Sequence, residues 1–320
     1  MVSLSDVQQT NALAASKLPA GLVAVFAGAT AGIGETALKA FAKHALRLKI
    51  YFIGRSQEAG DRLQIELRNI NPEGSYVFVK KDMGLLENVD EVCRDIKSRE
   101  TVLNLLFLSQ GTLKMGVDTD EGLSIVMAVA HYSRARLTVN LLPLLRKASC
   151  LRRVVTVMAA STAPEVICVP PSPSLEALAR QAPEVSFIHN FSGSVDTDLI
   201  RSGDGVMMQV MKYWFKVSMT VRRQWLPKEE CGERHAWLCW SGMFPDRLGQ
   251  SGNGVESAGG VAVGVDGSRG SGVYSLDWDG ESAGDEVVKL LGEYRQEGMV
   301  DKVWKDLETE FVRITGETRV

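Results

Sequence analysis

No apolar run in the 320-residue sequence is long enough to span a bilayer as a helix, which takes about 20 residues. Residues 1 to 20 also lack the charged start and unbroken apolar core of a secretion signal. A soluble, cytoplasmic protein without a membrane span is the expectation. There is no basic run, and 36 Lys and Arg against 39 Asp and Glu leave the chain near neutral. That balance excludes the field by which nucleic acid or an anionic membrane is recognised. The five cysteines, Cys93, Cys150, Cys168, Cys231 and Cys239, form no C-x-x-C pair and have no histidine ladder nearby. An odd, scattered set in a long chain implies neither a disulfide framework nor a structural metal site, so buried thiols are expected. Finally, neither tyrosine nor lysine occurs between Cys150 and Met211.

What is present begins with Gly21 to Gly34, GLVAVFAGATAGIG. Leu22 to Phe26 is continuously apolar, as a parallel strand covered on both faces must be. Glycines follow at Gly28, Gly32 and Gly34, and then Ile33, Ala37, Leu38, Phe41 and Ala42 form one apolar stripe at helical spacing. A strand, a glycine turn and a helix start together give a dinucleotide diphosphate close backbone approach and free N–H donors. Glu35 in the first turn suits the helix dipole.

The same alternation continues. Leu48 to Ile53 reads as a second strand ending in Gly54-Arg55-Ser56. An acidic residue at that place would bind a ribose 2′-hydroxyl, whereas an arginine accommodates a 2′-phosphate, so Arg55 and Ser56 point to NADP(H). Tyr76 to Val79, Val102 to Leu108, Arg153 to Met158, Val185 to His189 and Val273 to Leu276 are the further strands. Between them a helix is expected over 121–148, with Pro143 kinking its last part, and an amphipathic helix over 206–221. The pattern is an α/β doubly wound parallel sheet, Rossmann-like, in a single domain over 1–320. Residues 247–272 are rich in glycine and serine and read as a mobile loop; 285–315 read as a C-terminal helical extension of two helices.

From these residues the sequence resembles the short-chain dehydrogenase/reductase family over about residues 20 to 200. Ala27-Gly28-Ala29-Thr30-Ala31-Gly32-Ile33-Gly34 matches that family's T-G-x-x-x-G-I-G motif. The resemblance implies that Gly28, Thr30, Gly32, Ile33 and Gly34 line the cofactor with Arg55 and Ser56, and that Asp82 contacts adenine. Leu108-Ser109-Gln110-Gly111 stands where the family has N-N-A-G, of which only Gly111 is kept. Phe187 to Thr197 resembles the P-G-x-V-x-T loop over the nicotinamide, with Ser192 in place of the proline and Gly193, Val195 and Thr197 fitting. The tail around GERHAWLCWSGMFP, SGVYSLDWDGE and VWKDLETEF is similar to fungal members, many from secondary-metabolite pathways. Pairing as a homodimer is also implied.

The family's chemistry uses a tyrosine whose pKa is lowered by a lysine four residues on, because a hydroxyl near pKa 10 is a poor catalyst at neutral pH. That pair is absent from Cys150 to Met211. Ala159 stands at the family's serine, with Ser161 and Thr162 beside it, and Ala130 at its asparagine. The connection from Ala160 to Val185 is short, which reads as a deletion in the protein or in the reading of its gene. Substitute proton donors are Ser161, Tyr132 with its neighbour His131, and His189 at the end of the sixth strand; Lys212 and Tyr213 are more remote. The implied activity is an NADP(H)-dependent oxidoreductase acting on a carbonyl or alcohol of a hydrophobic metabolite. The alternative is a non-redox cofactor-binding homologue.

Overall fold

The computed structural model describes residues 1–158, 171–195, 225–249 and 254–320. Its strands are β1 (Val23–Ala27), β2 (Lys49–Gly54), β3 (Ser75–Lys80), β4 (Leu105–Leu108), β5 (Arg153–Met158), β6 (Ser186–Phe191) and β7 (Val273–Leu276). All pair in parallel, in the order β3-β2-β1-β4-β5-β6-β7. The chain runs outward from β1 to β3 and then returns to lay β4 against the other side of β1. That reversal opens a crevice at the carboxyl ends of β1 and β4.

Burial on both faces explains the unbroken apolar strands. Ala24 and Phe26 face one side, against Ala37, Leu38 and Phe41 of α2 (Gly32–His44). Val23, Val25 and Ala27 face the other, where α4 (Leu86–Arg99), α5 (Ser133–Lys147) and α6 (Pro171–Gln181) pack. The C-terminal extension is two helices, α8 (Asp285–Gln296) and α9 (Met299–Thr315), and α9 seats Leu307 and Phe311 against Leu86, Ala128 and Ala135. No helix among the described residues is long and apolar enough to cross a membrane.

Two helices were not legible in the sequence. α1 (Leu4–Lys17) and α7 (Lys228–Trp240) pack together over α2, joined through polar side chains. Asn11 donates to the Glu233 carboxylate at 2.6 Å and accepts from the Trp240 indole at 2.8 Å. α7 shows no single apolar stripe because it is buried nearly all round, with Ala236 to Trp240 in the core beside Val7 and Ala14 of α1.

The expected helix over 121–148 is an unbroken helical run from 125 to 147 that carries a π-helical segment. A turn at Ile125–Met127 passes into a π-turn at Ala128–Tyr132 before α5 begins. The extra residue of a π-turn resets which side chains face the sheet. Pro143 stands exposed inside α5 without ending it. The described part of 247–272 is pinned rather than free: Val255 is buried, its N–H donates to Trp240 O at 2.7 Å, and its carbonyl accepts from Gly242 N at 2.7 Å. Glycine serves close approach there, because a Cβ on Gly254 would lie 2.8 Å from Trp240 O. The helix expected over 206–221 lies outside the described residues, as do Cys168, Lys212 and Tyr213.

Candidate functional site: the carboxyl edge of β1, β4, β5 and β6

β1 ends at Ala27 and the backbone turns at Gly28 with φ +80°. A Cβ there would lie 2.5 Å from the Cα of Gln110, in the segment that follows β4. Gly32 has φ +60°. Gly34 lets the first turn of α2 touch the loop: a Cβ would overlap Ser109 Oγ and stand 2.5 Å from Gly28 O. Only glycine meets all three demands. Ser109 in turn donates to Ala27 O at 3.1 Å, fixing the end of β4 to the glycine turn.

The start of α2 is not capped by any side chain. Its N-cap is Ala31, whereas Ser3 caps α1, Ser56 caps α3 (Gln57–Ile70), and the Glu121 carboxylate accepts from Leu86 N and Glu87 N at the start of α4. The orphan N–H groups at Gly32, Ile33 and Gly34 therefore face the crevice with the positive end of the dipole. A diphosphate fits such a cradle, since the loop leaves no room for side chains and the donors have no internal acceptor.

At the end of β2, Arg55 is exposed, and among the described residues it makes no hydrogen bond or ion pair. Thr30 lies against Gly54, where a Cβ would meet its side chain. Ser56 Oγ accepts from Ala59 N at 3.2 Å as the cap of α3, and its own O–H is still able to donate. Asp82 folds back on its own loop, accepting from Gly84 N at 2.9 Å, while its carbonyl accepts from Asn88. Gly111 is exposed, with open space where a Cβ would be. Gly193, φ +69°, is braced by Trp278, whose Cβ would be 2.9 Å from an added Cβ. Thr197 and Ser161 lie outside the described residues.

The proton-donor candidates are separated. The Tyr132 hydroxyl donates to Asp306 of α9 at 2.8 Å, and burial together with that carboxylate pushes its pKa up, away from what a donor at neutral pH requires. His131 is buried on the π-turn and pushed down to about 4 by burial. His189 pairs in register with Thr156 on the face toward α5; burial and the nearby Arg134 push it down to about 4, and its Nδ1 has no partner. Both imidazoles are neutral at pH 7.

One functional-looking residue had no sequence signal. Arg134, in the first turn of α5, is buried across the ends of β4 and β5. It donates to Thr156 Oγ1 at 2.6 Å, Val157 O at 2.9 Å and Gln110 O at 2.5 Å. An arginine in YSRAR reads as surface; the π-turn before it swings it inward.

No family model matches the chain. It is 33% identical over 344 residues to the oxidoreductase andH of Emericella variicolor, covering 99% of this chain and 98% of that protein. It is 28% identical over 284 residues to the short-chain dehydrogenase/reductase SAT2 of Stachybotrys chartarum, covering 74% of this chain and 78% of that one. The alignment with andH is longer than the 320 residues of this chain, so that relative has residues with no counterpart here. Among solved structures, the KRED1-Pglu enzyme has the same fold with a TM-score of 0.53 and 22% identity, over 68% of this chain and 94% of that one.

Proposed function

We propose that this chain, a member of the short-chain dehydrogenase/reductase family and an oxidoreductase of that type, works with NADP(H), in the cytoplasm, on a carbonyl or alcohol of a hydrophobic small metabolite of fungal secondary metabolism. The observation that carries the cofactor reading is Arg55, an exposed cation without a partner among the described residues where β2 meets the crevice. A 2′-phosphate at that strand end gives its guanidinium a bidentate acceptor, and a free 2′-hydroxyl does not.

In this reading the amides of Gly32, Ile33 and Gly34 hold the diphosphate, Thr30 and Arg55 flank the adenosine end, and the Gly193 turn, braced by Trp278, covers the reacting end. The bound cofactor supplies or accepts the hydride. The protein supplies orientation and exclusion of water.

A second reading, a cofactor-binding homologue that does no redox chemistry, draws on Tyr132, whose hydroxyl is committed to Asp306, and on the absence of Tyr and Lys between Cys150 and Met211. Incubating the protein and NADPH with a panel of hydrophobic ketones while following absorbance of the reduced cofactor separates the two. Ketone-dependent oxidation supports the first reading; saturable NADPH binding with no turnover on any ketone supports the second.

A further inference from the structure

Arg134 and Arg136 stand two residues apart on α5, both buried, and they differ in one respect. Arg136 presents its Nε and Nη2 edge to Asp90, donating to Oδ1 and Oδ2 at 2.7 Å each. Its charge is matched by a carboxylate. On Arg134 the corresponding edge has no acid among the described residues: there Nε has no partner, and Nη2 donates to the Gln110 carbonyl. All three acceptors of Arg134 are neutral. The acids on adjoining elements are already engaged, Asp90 by Arg136 and Asp306 by Tyr132.

Burial pushes the Arg134 guanidinium down to about 9, still charged at neutral pH. A buried, uncompensated charge is costly, and buried charges in proteins are ordinarily paired. Around it lie further polar atoms without partners, Gln110 Oε1 and His189 Nδ1. These atoms sit at the carboxyl ends of β4, β5 and β6, the edge at which an open parallel sheet binds its ligands. The diphosphate cradle is at the start of α2, above β1, so the cation is offered elsewhere along that edge.

We propose that Arg134 is the receiving charge of a substrate subsite, and that the substrate carries a carboxylate which completes the pairing Arg134 lacks among the described residues. The inference deepens the oxidoreductase reading by assigning the substrate a charge, and it rests on that reading only for calling the ligand a substrate. Gln110 and His189 carry the other unpartnered polar side-chain atoms beside it. The neutral imidazole of His189 is able to donate from Nδ1 to the same oxygen without adding charge.

The test uses the full chain, with benzoate and benzamide as probes of equal size that differ in charge, titrated calorimetrically with and without NADPH. A charge-assisted hydrogen bond favours benzoate by about tenfold or more. Arg134→Gln should bring the two probes to within about twofold, and Arg134→Lys should keep the preference. Because Arg134→Gln also removes a tie between β4 and β5, the wild-type histidine ring resonances give an independent reading: benzoate should shift His189, and benzamide should not. Equal affinities in the wild type, no benzoate binding, or a preference that persists in folded Arg134→Gln overturns the proposal. Benzoate preference without NADPH binding would leave the anion subsite standing and overturn the cofactor reading instead.

Discussion

Gly28→Ala tests how tightly the crevice is built. The residue sits at φ +80°, where an L side chain costs about 1–2 kcal/mol. The added Cβ would also lie 2.5 Å from Gln110 Cα and 2.8 Å from the Ser109 carbonyl carbon. Those atoms are backbone, held by Ser109 N donating to Ala27 O at 2.9 Å, so they have no rotamer by which to retreat. Strain and overlap together should cost about 3 kcal/mol, in the range of overpacked sites. In a chain of 320 residues that lowers Tm by roughly 4–5 °C. Gly34→Ala is the informative partner. Part of its overlap is with the Ser109 hydroxyl, so Ser109→Ala should restore part of the loss in Gly34→Ala and none of it in Gly28→Ala. Thermal unfolding and NADPH titration on the four variants measure both effects. An unchanged Tm and an unchanged NADPH affinity in Gly28→Ala would refute the packing argument.

Other perturbations follow from the same contacts. Asp90→Ala leaves Arg136 buried without its carboxylate and should cost about 3–5 kcal/mol in denaturant unfolding, whereas Asp90→Leu with Arg136→Met should recover most of it. Glu233 is pushed up by burial but held down to about 2 by hydrogen bonds from His44 and Asn11. Its folded pKa lies below the ordinary carboxylate value, so its contribution, on the order of 1–2 kcal/mol after solvent screening, is complete above about pH 4.5 and is lost as pH falls toward 2. Acid unfolding of Glu233→Gln should be flatter across that interval, and an identical slope would contradict the assignment. Tyr132→Phe removes one hydrogen bond to Asp306 and should cost about 0.5–1.5 kcal/mol without changing turnover; a large loss of turnover in a stably folded variant would return Tyr132 to the proton-donor role.

The sheet was legible because its central strands β1, β2 and β4 are buried on both faces and so are written as nearly plain apolar runs, β1 ending where Gly28 permits the chain to turn. The glycine turn was legible for the same reason: backbone demands select residue type directly. Ser56 reads in the sequence as a ligand contact, and nothing there announces the second task its Oγ performs, capping α3. α1 escaped notice because Asn11, not an apolar stripe, ties it to Glu233 and Trp240. Arg134 and Arg136 both read as solvated helix charges. Their burial depends on the π-turn at Ala128–Tyr132, a change of one residue in register that no periodicity announces, and on which neighbour each guanidinium meets once inside.

The claim on which the rest depends is that the uncapped start of α2 and the unpaired Arg55 bind a 2′-phosphorylated dinucleotide. Fluorescence titration of the wild type and Arg55→Ala with NADPH and NADH tests it. Saturable binding is expected, with NADPH favoured by about tenfold, the lower end for a charged hydrogen bond at an exposed site, and with that preference gone in Arg55→Ala while NADH affinity is unchanged. An absence of saturable binding by either nucleotide, or a preference for NADPH that survives the loss of Arg55, would contradict it.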